Sequence, residues 1–309
     1  MIRPVSTLLE RLAAFDPFGS TPEARLAGSV RRYFVLDAFT DTPLAGNQVA
    51  VLTDARELRE EEMQLVAREL NLSETVFVLP PEAAGDARIR IFTPGTELPF
   101  AGHPVLGCAV LLGSALAQDS ITLETGIGPV PVVLHPMGDG VLFGWMRQPV
   151  PAWRAYEREA ELLAALGLER SELSVEAYDN GPRHVYVALG DEPRLAALEP
   201  DMQALGRLGR VGVSCFAGSG TSWRNRMFAP GLGVPEDPAT GSAAGPLAVH
   251  LVRHGRIGPG TEIEISQGTE IGRPSLLHAI ADVSDGAIER VEVGGAAVIV
   301  GRGELLVRR

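Results

Sequence analysis

Apolar positions along the chain fall into short runs broken by glycine and proline turns, with a few longer stretches at helical spacing. Tyr33–Phe39 and Gln48–Leu52 read as two strands, the first ended by the turn at Thr40–Pro43. Glu60–Leu70 sets Met63, Leu65, Val66 and Leu70 among charges, as an amphipathic helix does, and Asn71 suits its C-terminal cap. Strands follow at Leu72–Leu79 and Ala87–Phe92. Val105–Leu116 is apolar almost throughout, which predicts a helix enclosed by a core, with Pro104 at its first position. Ser120–Met146 reads as strands interrupted at Gly126–Gly128 and Gly138–Gly140, and Arg147–Pro151 as a crossing between halves. Beyond it, Glu157–Leu168 and Leu195–Leu208 read as helices. His184–Leu189, Val211–Phe216, Glu262–Ile265, Ala279–Val283, Ile288–Val293 and Ala297–Val300 read as strands.

One pattern occurs twice. Arg88–Pro94 and Arg224–Pro230 match as strands ending Phe-x-Pro. Glu97–Leu112 and Glu236–Leu251 then align without gaps at the opening Glu, a Pro, a Gly and an Ala-Val-x-Leu. A separation of nearly half the chain indicates a duplicated domain. The expected organisation is an extension over residues 1–31, a first lobe over 32–149 and a second over 150–309, whose last strand can return to the first lobe. If the copies face each other, two glycine-led helix starts offer unpaired N–H groups and positive dipole ends to one anionic ligand. Pro246 removes a backbone donor from the second helix, so its first turn should start late or be irregular. Within the extension, Ser6–Phe15 fits a short amphipathic helix, whose Glu10 and Arg11 argue against a secretory signal.

Composition narrows the partners. A net charge of -12 disfavours nucleic acid and anionic lipid. No apolar run reaches the length of a membrane span. Two cysteines, Cys108 and Cys215, suggest no disulfide framework, and a reducing, cytoplasmic setting is expected. Nucleotide, serine-hydrolase and zinc-protease signatures are missing, so no cofactor is expected. His250 and His254 stand at i, i+4 without a third ligand nearby in sequence, and the helix dipole accounts for them, so no metal is expected either.

The candidate chemistry is acid–base. Glu74 stands at the mouth of an apolar strand and reads equally as an outward strand-start residue or a carboxylate kept for catalysis. Asp37, His103 and Ser242 form no convincing nucleophile relay, because Ser242 has no nucleophile-elbow context. Glu74, His103 and Asp237 remain as proton-handling groups, with Ser242 and two glycine turns for an anion, which suits cofactor-independent proton transfer at carbon.

From about residue 32 onward, the sequence resembles the phenazine-biosynthesis F family of the diaminopimelate epimerase-like superfamily. The resemblance runs through Asp37–Phe39, Gly46–Asn47, Asn71–Glu74, Ile91–Pro94, Glu97–Pro104, Asn180–His184, Cys215–Gly218, Arg226–Phe228, Glu236–Leu251, Gln267–Gly268 and Gly272–Ser275. It implies an α+β fold of two pseudo-symmetric lobes, each a barrel-like sheet around a central helix, with the active site between lobes and a homodimeric assembly. It also implies a small-molecule substrate: isomerisation of trans-2,3-dihydro-3-hydroxyanthranilate to its aminoketone tautomer. Glu74 matches the proton shuttle, and His103 and Asp237 match its catalytic companions. Ser242, Gly102 and Gly241 match groups around the substrate, and Ser73, Asn47 and Thr240 from the same motifs complete the expected binding set. The racemase branch places cysteines where this chain has His103 and Ser242, so two-thiol racemisation is not expected. The remaining alternatives are an isomerase or epimerase of another small amino or hydroxy acid, and a catalytically silent binding protein that keeps the fold.

Overall fold

The computed structural model describes residues 10–12, 14–15, 30–138 and 141–307. The chain divides into two compact units: Met1–Pro43, Gln48–Gly144 and Ala296–Arg309 make the first, and Leu44–Asn47 with Trp145–Gly295 the second. Each unit is a barrel-like mixed sheet around one central helix.

The first unit contains β1 (Val30–Ala38), β2 (Asn47–Leu52, from Gln48), α1 (Glu60–Leu70), β3 (Glu74–Leu79), β4 (Ala87–Phe92), β5 (Glu97–Leu98), α2 (Gly102–Leu116), β6 (Ser120–Thr125) and β7 (Gly128–Gly138). β2 and β3 run parallel with Val49 opposite Glu74, β3 and β4 antiparallel, and β4 and β6 parallel. β1 pairs antiparallel with residues 297–306. α2 packs against β1, β3, β6 and β7, and its Val105, Leu106, Leu111 and Leu112 are at most 1 % exposed. Sealing each such side chain contributes roughly 1.5–3 kcal/mol, so the all-round apolar sequence is what a sheet-wrapped helix requires.

Two expectations need correction here. Leu65 of α1 is 59 % exposed while Met63, Val66 and Ala67 are buried, because at about 100° per residue position 65 faces away from the stripe the others share. Pro104 is the third helical residue, not the first, since α2 begins at Gly102; its missing N–H still falls among the donors that no helical carbonyl reaches. Asn71 closes α1 in the left-handed region, φ 51°, its N–H donating to the Ala67 carbonyl at 3.1 Å. Of the extension, Leu12 is buried and the Phe15 ring lies 6.1 Å from that of Phe34. Residues 10–12 and 14 are helical, within the predicted Ser6–Phe15 helix; residues 6–9 and 13 of that helix, and residues 16–29, lie outside the described residues.

β8 (Val141–Gln148) leads into the second unit, with β9 (Ala152–Ala155), α3 (Glu159–Leu166), β10 (Glu176–Asp179), β11 (Arg183–Ala188), α4 (Glu192–Ala196), α5 (Met202–Gly206), β12 (Gly212–Ser219), β13 (Ser222–Ala229), β14 (Val234–Asp237), α6 (Gly241–Arg253), β15 (Ile263–Gln267) and β16 (Ser275–Ser284). The last strand, β17 (Ala287–Leu306), pairs with β16 over its first half. The predicted helix over 195–208 is instead two short ones. Pro200 cannot donate and disfavours helix at Glu199, and Asp201 restarts the chain as a cap, accepting from the Ala204 N–H at 2.9 Å. Ile288–Val293 and Ala297–Val300 form one strand: Gly294 still lies opposite His278 of β16, and from Ala297 onward β1 supplies the partners.

The repeat is structural as well as sequential. Ile91 lies opposite Leu98, and the matching Met227 opposite the matching Asp237. Both central helices begin at the aligned glycine, Gly102 and Gly241. The two parallel pairings of the first unit recur as β11 with β12 and β13 with β15.

Candidate active site

In the first unit, Glu74 opens β3 and His103 is the second residue of α2. Glu74 Oε2 lies 3.0 Å from His103 Nε2, with side-chain exposures of 12 % and 5 %. The outward reading of Glu74 therefore fails: the carboxylate is turned into the protein, against an imidazole it can exchange a proton with. Ser73 precedes Glu74 and is half-buried. Val105 N–H to the Ala101 carbonyl, 3.3 Å, starts the α2 ladder, so the N–H groups of Gly102 and His103 have no helical acceptor.

In the second unit a polar chain converges on Asp237. Asn47 Nδ2 donates to Asp237 Oδ1 at 2.8 Å and to the Ala239 carbonyl at 2.9 Å, while the Thr240 hydroxyl donates to Asp237 Oδ2. Gln267 Nε2 donates to the Asp237 carbonyl at 2.7 Å and to Thr240 Oγ1 at 3.0 Å. Asn225 Nδ2 donates to Gln267 Oε1 at 2.9 Å, and Ser214 Oγ to Asn225 Oδ1 at 2.6 Å. With a donor on each carboxylate oxygen, Asp237 is held in one orientation.

The start of α6 departs from the expected late or irregular turn. The helix begins at Gly241 and carries Pro246 inside it, and the Ser242 carbonyl that Pro246 cannot serve accepts from Asn180 Nδ2 at 3.0 Å. Gln148 Nε2 likewise donates to the Gly241 carbonyl at 2.9 Å, and Tyr186 OH to the Ala243 carbonyl at 2.7 Å. The Ser242 hydroxyl lies 3.1 Å from His184 Nε2. Burial pushes the His184 pKa down to about 4, so at neutral pH this is a neutral imidazole.

Sequence reasoning assigned no role to His184, Asn180, Gln148 or Gln267. The available signal was polar residues in apolar strands, as with His184 ahead of Val185–Leu189. Glu176, His250 and His254 bring possible ligand atoms within 4.8 Å of one another, the carboxylate coming from a distant strand that sequence spacing did not show. Arg253 Nη1 and the Tyr178 hydroxyl already occupy Glu176 Oε2, at 2.5 and 2.9 Å. Cys108 and Cys215 are buried free thiols whose pKa values burial raises, and neither stands at a helix start.

A carboxylate–imidazole pair stands at one helix start and a hydroxyl at the other, and the class of protein is an α+β fold built from a duplicated unit. The chain belongs to the phenazine biosynthesis-like protein family, whose model matches residues 36–303. It is 53 % identical over 278 residues to the trans-2,3-dihydro-3-hydroxyanthranilate isomerase of Pseudomonas aeruginosa, covering 89 % of this chain and 100 % of that protein. The crystal structure of a PhzF-family phenazine biosynthesis protein from Bacillus anthracis matches with a TM-score of 0.78 and 27 % identity, over 90 % of this chain and 99 % of that one. A hydroxyproline epimerase from Agrobacterium vitis matches in fold alone, at a TM-score of 0.60 and 14 % identity over 90 % of this chain and 93 % of that one. No helix among the described residues is long and apolar enough to cross a membrane.

Proposed function

We propose that this chain is an isomerase that converts trans-2,3-dihydro-3-hydroxyanthranilate to its aminoketone tautomer in phenazine biosynthesis. The observation that carries this reading is the shielded Glu74–His103 pair, 3.0 Å apart, on a fold whose 53 % identical relative bears that activity in its name. Glu74 takes the allylic proton from C3, and the electron pair spreads through the conjugated diene to C1. Glu74 returns the proton there, giving an enol that becomes the ketone when its hydroxyl proton is released and a ring carbon is protonated.

Asp237, held by Asn47 and Thr240, orients substrate polar groups. Ser242 takes the substrate carboxylate, which fixes the ring for transfer at both carbons. The protein works in the cytoplasm as a homodimer, which light scattering of the purified chain tests. The reaction is tested by turnover in heavy water. Label should appear at C1 of the product, and Glu74→Gln should abolish turnover; full activity in that variant removes the reading.

A further inference from the structure

We propose that His184 is a positioning residue that locks the Ser242 hydroxyl as a hydrogen-bond donor toward the substrate carboxylate. This rests on the reading of Ser242 as a carboxylate contact.

A neutral imidazole carries one N–H, on Nδ1 or on Nε2. His184 is 4 % exposed, Nε2 faces Ser242 Oγ at 3.1 Å, and Nδ1 is buried with no hydrogen-bond partner among the described residues. Nδ1 faces Gly212, where an added Cβ would come within 2.7 Å of it. A proton on Nδ1 would be a buried donor with nothing to receive it, and orphaned N–H groups are rarer in proteins than under-used acceptors. The proton therefore sits on Nε2, and Nε2–H donates to Ser242 Oγ.

That assignment decides what Ser242 can do. Its oxygen is engaged as an acceptor, so its own proton must point elsewhere, and its acidity is strengthened by the bond it receives. The turn that carries it is rigid: Gln148, Asn180 and Tyr186 donate to the carbonyls of Gly241, Ser242 and Ala243 in succession. Ser242 thus presents a fixed donor, and an anionic oxygen is the ligand chemistry that matches it. With the opposite tautomer Ser242 would donate to His184 and offer only lone pairs, which repel a carboxylate.

The first measurement needs no ligand. Two-bond proton–nitrogen correlation spectra of uniformly 15N-labelled protein at pH 7 report each histidine's tautomer, with His184 assigned by its loss in His184→Gln and, independently, by its displacement in Ser242→Ala. A neutral ring protonated on Nε2 is expected, and a proton on Nδ1 or an imidazolium overturns the proposal. The second is binding of 3-hydroxyanthranilate against its methyl ester. His184→Phe and Ser242→Ala should each weaken the acid about tenfold, leave the ester unchanged, and lose nothing more when combined. Multiplying losses overturn the proposal. Should the acid-over-ester preference depend on both residues while the chain fails to turn over the dihydro substrate, the reaction assigned above falls and the His184 role stands.

Discussion

Arg226 grips Glu236 through two parallel bonds, Nε to Oε1 and Nη2 to Oε2, each 2.9 Å, with side-chain exposures of only 8 % and 9 %. Its remaining nitrogen, Nη1, donates to the carbonyls of Leu195, Ala196 and Leu198 at 3.2, 3.1 and 2.8 Å. The first copy of the repeat makes the same bond: Arg90 holds Glu97, but at 22 % and 36 % exposure. One motif, placed at two depths, should therefore contribute two different stabilities. Arg226→Met leaves a buried carboxylate unpaired and should cost about 3–5 kcal/mol, whereas Arg90→Met should cost about 1 kcal/mol or less. Urea denaturation of both variants checks this, and similar losses would mean that burial does not set the difference.

The hold on Asp237 begins further back in the chain. Arg273 donates from Nε to the Gly46 carbonyl, from Nη1 to that of Leu44 and from Nη2 to that of Ala45, at 2.9, 2.9 and 2.6 Å. That fork fixes the backbone just before Asn47, whose amide meets Asp237. Arg273→Lys keeps the charge but not the fork, and should reduce kcat/KM by about tenfold with little change in stability. Asn47→Ala should reduce it further, by about a hundredfold, since it also strips Asp237 of a donor. Steady-state kinetics beside thermal melts separate the effects. A loss of activity explained wholly by unfolding would refute the positioning role.

Much of this architecture is legible in the residues, for reasons that differ by element. The repeat shows because its Arg, Glu and Gly each have a local duty: the first two form the bridge just described, and the glycines begin the central helices. α2 shows because a helix surrounded by sheet has no polar side. Glu74 is ambiguous in sequence because a strand-start carboxylate reads alike whether it faces water or His103; only the fold brings an imidazole 3.0 Å away. The role of His184 is hidden in the sequence for a related reason. Its partner is 58 residues distant, and no local spacing encodes that meeting.

Acid should loosen the second unit in two stages. Burial lowers the pKa of His184 to about 4 and of His250 to about 3, from an ordinary 6.5. A folded-state pKa below the unfolded one favours the neutral ring in the fold. That contribution is whole above pH 6.5 and is lost as pH falls toward 3. Although burial alone would raise it, the Glu176 carboxyl is brought down to about 2, from 4.5, by Arg253, Tyr178 and His254. Its contribution is whole above pH 4.5 and disappears toward pH 2. The melting temperature should therefore hold steady above pH 7, fall below about 6.5 and fall more steeply below about 4.5. His250→Phe, matched in shape to the aromatic rings of Tyr178, Tyr186 and Phe216 around it, should flatten the first decline. An unaltered slope in that variant would show that His250 does not drive it.

His103 offers the sharpest division of roles. If Glu74 removes the C3 proton and His103 refills or empties that acid, the imidazole governs the fate of the proton and not its first removal. His103→Gln retains a hydrogen-bonding group beside Glu74 but cannot relay a proton. Substrate deuterated at C3 and turned over in light water should then deliver more of its deuterium to C1 of the ketone than it does with the wild type, because the deuteron on Glu74 has lost its exit to solvent. Glu74→Gln should stop turnover. Mass spectrometry of the ketone measures the deuterium retained. Should His103→Gln retain no more than the wild type, the imidazole is not the exit through which Glu74 exchanges its proton.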